Sequence, residues 1–387
     1  MSSFNACGSS PRLVYLVTED WYFSSHRLPM ARAAREAGFE VHVITRVARH
    51  GPAIAAEGFA LHHIEWRRGS LDPRHLLRTV RDIRSLYRKL DPSIAHHVAL
   101  LPTIAGSLAA LGLPVVCLNA ITGLGTTFSS DSAKLRATRM LLKAVLRVLL
   151  ARTRSAVLVQ NPHDARTIER LGVERSRITL IPGSGVDIER LKPMPEPGEP
   201  ITIGFAGRLL ESKGIRTLVA AHELLQRCGP RTALLIAGLP DPANPGSVQE
   251  DEIAAWRRRR DLVHLGFVDD IATVWAAAHI AVLPSRGGEG VPLSLIEAAA
   301  CGRPLIATDT PGCRDIARNG INAVLVPPDD AEKLAEAIGR LAGDRELRAR
   351  LGRSGRKLVE QEFSSVRVGR DTVALYRQLL AKHGRRP

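Results

Sequence analysis

The chain of 387 residues predicts an α/β fold of two doubly wound domains, and three observations carry that expectation. Short apolar runs alternate with amphipathic stretches along the whole length, the pattern of successive βαβ units. The length exceeds one ordinary domain and suits two of about 190 residues, each able to bury a large core. The segment LKPMPEPGEP (191–200), rich in Pro and Gly, reads as a linker between two halves that repeat the same scheme.

In the first half the strands are expected at LVYLV (13–17), EVHVIT (40–45), ALHHIE (60–65), SIAHH (93–97), PVVCLN (114–119), SAVLVQ (155–160) and RITLI (177–181). In the second they are expected at ITIGFAG (201–207), ALLIAG (233–238), DLVHLGF (261–267), IAVLP (280–284), PLIATD (304–309) and AVLVP (323–327). These short, mainly apolar runs alternate with amphipathic helices, as the strands of parallel βαβ units should. The expected domains are therefore residues 1–190 and 201–364, joined by 191–200, with a last helix at about 365–385. Residues 98–130 carry no charge, but Pro102, Gly106, Gly112, Pro114 and Asn119 divide them. The pieces fall far below the roughly 20 apolar residues that cross a bilayer, so a helix near Thr103–Leu111, a strand and a loop are expected instead.

The net charge is +15, with 54 Lys+Arg against 39 Asp+Glu. Residues 1–190 hold 26 cations against 15 anions and residues 191–387 hold 28 against 24, so the first half carries most of the excess. Such a surface suits nucleic acid, an acidic membrane or a pyrophosphate-bearing substrate. Aromatics make up only 4% and no nucleic-acid module signature occurs, which sets nucleic acid aside. Five cysteines, odd in number and without a Cys-x-x-Cys pair, argue against a disulfide framework and a zinc site and for a reducing compartment. The opening MSSFNACGSS has no basic start followed by an apolar core, so a cytoplasmic location is expected.

Doubly wound sheets take their ligands beyond the carboxyl ends of the strands. After the first strand stands VTEDWYFSSH and no Gly-x-Gly-x-x-Gly, which disfavours a dinucleotide half. The most informative segment is PSRGGEGVPLSLIEAAACGRP (284–304). Pro292 suits a first helical position, Gly302 an end and Pro304 a stop, so a helix is expected from about Pro292 to Cys301. Glu289 then lies at its mouth and Glu297 in its body. A helix start offers backbone N–H groups and partial positive charge, which favours an anionic or hydroxyl-rich ligand such as a sugar phosphate. A second turn, Gly207 to Gly214, brings Arg208 and Lys213 between two glycines that let the backbone approach a ligand. Taken alone, that turn reads better as two solvated cations at a surface turn.

The Glu-x7-Glu arrangement inside EGVPLSLIEAAACGRP resembles the signature of the retaining glycosyltransferases of family 4, which share the two-domain GT-B fold. The family's wording is closer to EGFGL. Val291 and Pro292 depart from it in a way that resembles the bacterial branch that assembles lipid-linked glycans. FAGRLLESKGI (205–215), IPGSGVD (181–187), LVTEDWYFSSHRLP and NAITGLG (119–125) extend the resemblance over most of the chain.

The resemblance implies two Rossmann-like domains facing a central cleft, with a nucleotide-sugar donor on the C-terminal one and the acceptor on the N-terminal one. Arg208 and Lys213 would meet the diphosphate, Glu297 the ribose hydroxyls and Glu289 the donor sugar. Gly207, Gly290, Val291 and Leu293 would supply backbone around sugar and phosphate, and Phe267 and Val268 the backbone at the base. Either His96 or His97 would lie near the donor sugar at a strand end. His26 and Arg27 would meet acceptor phosphates, while Thr122 and Gly123 border the sugars. In the front-face mechanism inferred for such enzymes the departing diphosphate takes the acceptor proton, so neither a metal nor a cofactor is required, and UDP is the expected nucleotide. The expected acceptor is a polyprenyl-diphosphate-linked glycan, which places the enzyme on the inner face of the cell membrane.

Two basic stripes bear on that location. Arg74, Arg78, Arg81, Arg84 and Arg88 share one helix face, and Arg136, Arg139, Lys143 and Arg147 share another opposite Leu141, Val145, Val148 and Leu149. Each fits a solvated face or contact with anionic lipid. Two other classes of function remain open at this stage: a GT-B-type sugar-nucleotide epimerase, and a catalytically idle scaffold that binds nucleotide and membrane. A glycosidase also uses two carboxylates, but set across a scissile bond and without a nucleotide site.

Overall fold

The computed structural model describes residues 10–66, 72–123 and 133–383, the side chains of 133–139 excepted. Seven strands form the first sheet: β1 (Arg12–Glu19), β2 (Glu40–Arg46), β3 (Ala60–His63), β4 (Ile94–Val98), β5 (Val116–Ile121), β6 (Ser155–Val159) and β7 (Ile178–Leu180). Six form the second: β8 (Ile201–Ala206), β9 (Thr232–Ala237), β10 (Leu262–Gly266), β11 (Ile280–Leu283), β12 (Leu305–Thr308) and β13 (Ala323–Val326). Each expected apolar run is a strand, and every described pairing is parallel. Helices cover both faces of such sheets, which is why β4, β5 and β11 are buried at every position.

The strand orders are β3-β2-β1-β4-β5-β6-β7 and β10-β9-β8-β11-β12-β13. Chain direction through each sheet reverses between β1 and β4 and between β8 and β11. Loops leaving these strand pairs diverge and open a crevice, so the ends of β8 and β11 are where a ligand of the second sheet belongs.

The chain divides into two compact units, one built on β1–β7 and the other on β8–β13. The changes of unit fall between Ile181 and Pro182 and between Ser365 and Val366. The Pro-rich segment 191–200 thus lies inside the second unit, bound there by a Glu196–Arg348 ion pair and by Met194 N–H donating to the Cys301 carbonyl. The helix Ser365–His383 is counted with the first unit from Val366 onward. Its Tyr376 hydroxyl lies 2.7 Å from the Tyr15 hydroxyl and 2.6 Å from His96 Nδ1.

That contact corrects the expectation for the histidine doublet. Both His96 and His97 lie inside β4, fully buried, and not at a strand end facing a ligand. Side chains alternate along a strand, so the two rings enter opposite layers. His96 stacks on Tyr15 at 4.8 Å, whereas His97 Nε2 meets the Tyr87 hydroxyl at 2.9 Å and its Nδ1 meets Asn119 Oδ1 at 2.8 Å. Burial holds both imidazoles neutral, His97 down to about 4. Arg27 is corrected too: it joins helix Asp20–His26 to helix Leu28–Glu36, and its side chain is wholly buried beside Met30, so it presents no surface to an acceptor phosphate.

The helix Ala133–Leu150 departs from a simple division into basic and core faces. Met140, Leu141 and Val148 are 72%, 67% and 69% exposed, while Leu146, Leu149 and Leu150 carry the packing. The side chains of Arg136 and Arg139 lie outside the described residues. In the helix Pro73–Leu90 the stripe is exposed except at Arg84, which donates to the carbonyls of Ala109 and Leu111. Among the described residues no helix is long and apolar enough to cross a membrane.

Candidate active site at the ends of β8 and β11

From the end of β8 the chain runs through Gly207 and Arg208 into a short 3-10 turn, Glu211–Lys213, and then Gly214 starts the helix Ile215–Cys228. Gly214 has φ 69°, and a Cβ there would stand 1.8 Å from the Pro284 carbonyl oxygen at the end of β11. No side chain fits this approach, so the Arg208–Lys213 turn is pressed against the neighbouring strand end. Gly214→Ala is expected to cost on the order of 2–4 kcal/mol through backbone strain and the displaced contact, read as a lower denaturation midpoint. An unchanged midpoint would mean that the turn moves away freely.

From β11 the chain passes Ser285, Arg286 and two left-handed glycines, Gly287 (φ 117°) and Gly288 (φ 80°), before Glu289. The following helix is Leu293–Ala300. Pro292 is its N-cap, one position outside the expected first helical residue, because its ψ of 119° is extended. No side chain caps this helix start, and first-turn N–H groups have no partner within a helix, so Leu293 lies where they meet an anion or water. Gly290 and Val291 lie just before it. Val291 is buried and its side chain serves the core, while a Cβ on Gly312 would come within 2.2 Å of the Gly290 carbonyl oxygen.

The two loops meet in an ion pair between Lys213 and Glu289. The ammonium Nζ is 2.6 Å from Glu289 Oε1 and 2.8 Å from Oε2, and both side chains are mostly buried. The Ser285 hydroxyl is 3.0 Å from the same carboxylate and 3.1 Å from the Ser212 carbonyl, so it can donate to either. Arg208 has its own anchor: its Nη1 donates to Asp241 Oδ2 at 2.7 Å. Asp241 is 8% exposed and Arg208 41% exposed, so the acid is fixed from below while the rest of the guanidinium fork faces outward.

Glu297 differs from both. Its side chain is half-buried in the helix body, and among the described residues its carboxyl has no hydrogen-bond partner. Burial pushes it up to about 8, offset only in part by the more distant Arg190. A half-buried carboxyl with no hydrogen-bond partner in the chain is a poor stabiliser and a good acceptor for a pair of ligand hydroxyls. At the end of edge strand β10, Gly266 (φ 69°) turns the chain so that Phe267 is 49% exposed, with Val268 beside it packed on the core. Two strand spacings separate β10 from β8, about 10 Å.

In the first unit, structure joins two of the expected residues through one that sequence reasoning missed. The Tyr22 ring stacks on His26 at 4.2 Å, and its hydroxyl donates to Thr122 Oγ1 at 3.3 Å, just past the end of β5. Gly123, counted with the second unit, follows with φ 119°. Ala99, at the end of β4, adopts φ 72° and ψ 175°, a region that glycine normally holds. Asp241 and Ser285 were missed as well. The only signal for either was its place at the end of an apolar run.

Two cations and a carboxylate held at the switch point of a parallel sheet, with an exposed ring at the end of β10 and a further carboxyl in the adjoining helix, are the groups this two-unit α/β protein gathers at the ends of its second sheet. Residues 12–161 match the family model described as glycosyl transferase 4-like, and residues 200–344 match the one described as glycosyl transferases group 1. The chain is 30% identical over 178 residues to the capsular polysaccharide biosynthesis glycosyltransferase CapM of Staphylococcus aureus, a match that spans 46% of each chain. It is 23% identical over 343 residues, 85% of this chain and 88% of the other, to the N,N'-diacetylbacillosaminyl-diphospho-undecaprenol alpha-1,3-N-acetylgalactosaminyltransferase of Campylobacter jejuni. Among solved structures, Anabaena Alr3699/HepE in complex with UDP-glucose superposes with a TM-score of 0.75 at 16% identity, covering 95% of this chain and 99% of the other, a likeness of fold. The protein belongs to the family 4 glycosyltransferases of GT-B fold.

Proposed function

We propose that the protein transfers a hexosyl or N-acetylhexosaminyl group from a UDP-sugar to a polyprenyl-diphosphate-linked glycan, with retention at the anomeric carbon, in the assembly of a surface polysaccharide or related glycan. The observation that carries this reading is the Lys213–Glu289 pair across the ends of β8 and β11, followed by a helix whose body holds the half-buried carboxyl of Glu297. Glu297 accepts from the two ribose hydroxyls. Phe267 and Val268 border the base at the end of β10. The diphosphate lies against Arg208, Lys213 and the Leu293 helix start.

In this reading the ammonium of Lys213 has three N–H donors and keeps Glu289 while giving another to the phosphate. Glu289, so oriented, accepts from a hydroxyl of the donor sugar. As the sugar–phosphate bond breaks, negative charge grows on the diphosphate, and cations already held in place stabilise it without reorganisation. The departing phosphate oxygen takes the proton of the acceptor hydroxyl on the same face of the sugar, so configuration is kept and no protein base is needed. The sequence has no Asp-x-Asp motif to carry a metal, and the cations Arg208 and Lys213 fill the role such an ion would have. Anabaena HepE, of the same fold, is a UDP-glucose complex, and the Campylobacter relative is named for a lipid-linked acceptor, which supports both substrate classes.

A membrane-borne acceptor also suits the helix Ala133–Leu150. Its exposed Met140, Leu141 and Val148 alternate with exposed Lys143 and Arg147, the combination by which a helix lies in an anionic lipid interface. The test of the whole reading is turnover of UDP-N-acetylhexosamines and UDP-hexoses with a polyprenyl-diphosphate glycan, the product's anomeric configuration assigned by NMR. Retention and insensitivity to chelator are expected. An inverted product, or activity abolished by chelator, would overturn it, and conversion of the UDP-sugar without acceptor would assign an epimerase instead.

A further inference from the structure

We propose that the second unit carries another anion site, away from the β8–β11 loops, which takes a di- or polyphosphate group either free or as a lipid headgroup. The place is a cavity of about 400 Å³ between residues 193–195, the turn at Gly302 and the helix Arg345–Leu358. This volume lies in the range of small-molecule sites. Five guanidiniums line it, Arg303, Arg345, Arg348, Arg353 and Arg356, against the single carboxylate of Glu196.

Four of these arginines stand at positions 345, 348, 353 and 356 of one helix, and at 100° per residue they share one face. Ala349 and Gly352 lie between them on that face and leave the space open. A Cβ on Gly352 would come within 2.1 Å of the Gly302 carbonyl oxygen, so the helix and the turn are locked at close approach and the cavity wall is rigid.

The five cations fall into two groups. Arg303 donates to the carbonyls of Trp275 and Pro195, Arg348 to those of Leu341 and Ala342, and Arg356 to those of Ile188 and Ala300. These three are structural, and two of them are ion-paired, Arg348 with Glu196 and Arg356 with Glu360. Arg345 and Arg353 are not so engaged. Arg353 is exposed and has no hydrogen-bond or ion-pair partner among the described residues, while Arg345 is 85% exposed and only 3.6 Å from Glu196. Both oxygens of Glu196 are already taken by Arg348, at 2.7 and 3.0 Å. Arg356 is in turn paired with Glu360 at 2.6 Å, so two carboxylates face five cations, and the remaining excess of positive charge at the cavity attracts an anion of several charges. Guanidinium forks match phosphate oxygens two at a time, so a diphosphate bridging Arg345 and Arg353 satisfies both.

The experiment is calorimetric titration of the full chain with inorganic pyrophosphate in an Arg208→Ala/Lys213→Ala background, which takes both cations from the proposed donor site and so weakens it as a competing acceptor of the probe. Binding is expected to persist there and to weaken about tenfold or more for each of Arg345→Gln and Arg353→Gln. Both side chains are exposed, so the variants should keep their far-ultraviolet circular dichroism and melting temperature. Sedimentation with phosphatidylglycerol vesicles separates the sources: loss of vesicle binding in the double variant assigns a lipid headgroup, and loss of pyrophosphate binding alone assigns a free ligand. If neither pyrophosphate nor vesicle binding depends on these two arginines, the site does not exist. That result would leave the reading of the β8–β11 site untouched.

Discussion

Lys213→Ala should lower turnover by a hundredfold or more with saturating donor and acceptor, while the chain stays folded. A preorganised donor facing developing charge is worth about 3 kcal/mol or more in the transition state, and Lys213 is the cation held most firmly between the two loops. The substitution also takes its counter-charge from Glu289, whose side chain is 15% exposed, and a mostly buried carboxylate without a cation destabilises. The double variant Lys213→Ala/Glu289→Gln removes that second effect. If its melting temperature returns toward wild type while turnover stays low, the loss is catalytic. If turnover returns with stability, Lys213 only braces the loop. Arg208→Ala should behave alike for its own reason, since the cation lies 2.7 Å from a nearly buried Asp241.

The second large effect belongs to Glu297, and its sign is opposite for stability and for binding. Its carboxyl is raised to about 8 in the folded chain from an ordinary 4.5. Below 4.5 both folded and unfolded chains hold the proton and the group costs nothing. Between 4.5 and 8 the unfolded chain releases it while the folded chain keeps it, so stability falls as pH rises, and above 8 the cost is complete. Glu297→Gln is therefore expected to stabilise the ligand-free protein by about 1–2 kcal/mol at pH 8 and hardly at all at pH 4.5, after allowance for partial exposure.

Binding runs the other way. Two ribose hydroxyls donate best to the ionised group, so UDP affinity should climb between pH 7 and 9 in the wild type, whereas Glu297→Gln should bind weakly and without that slope. Glu289→Gln should retain UDP affinity and impair use of the intact sugar donor. Calorimetry across that pH range decides it: the same slope in the Glu297→Gln variant would place the titrating group elsewhere. A site residue that destabilises its own fold is a common cost of function.

The amino-acid sequence by itself determined the thirteen strands and their division into two sets, because each is a local run of apolar and β-branched residues between turn formers. It also determined the local order of the site: Glu289 ahead of a helix, Glu297 within it, and Arg208 and Lys213 between Gly207 and Gly214. What only tertiary structure decided is how residues far apart in sequence are paired. Lys213 and Glu289 are 76 residues apart, and Arg208 and Asp241 are 33 apart. They meet because β8 lies between β9 and β11, a strand order that no local pattern encodes. The same holds for burial. Period-2 alternation sends His96 and His97 to opposite faces, but which helix covers each face is a long-range matter, and Tyr376, 280 residues from His96, settles that His96 is a core residue. Helical periodicity drew a basic face and an apolar face on a helix from about Leu135 to Arg152, yet packing left Met140, Leu141 and Val148 exposed, because an apolar side chain is buried only where a neighbour arrives to cover it.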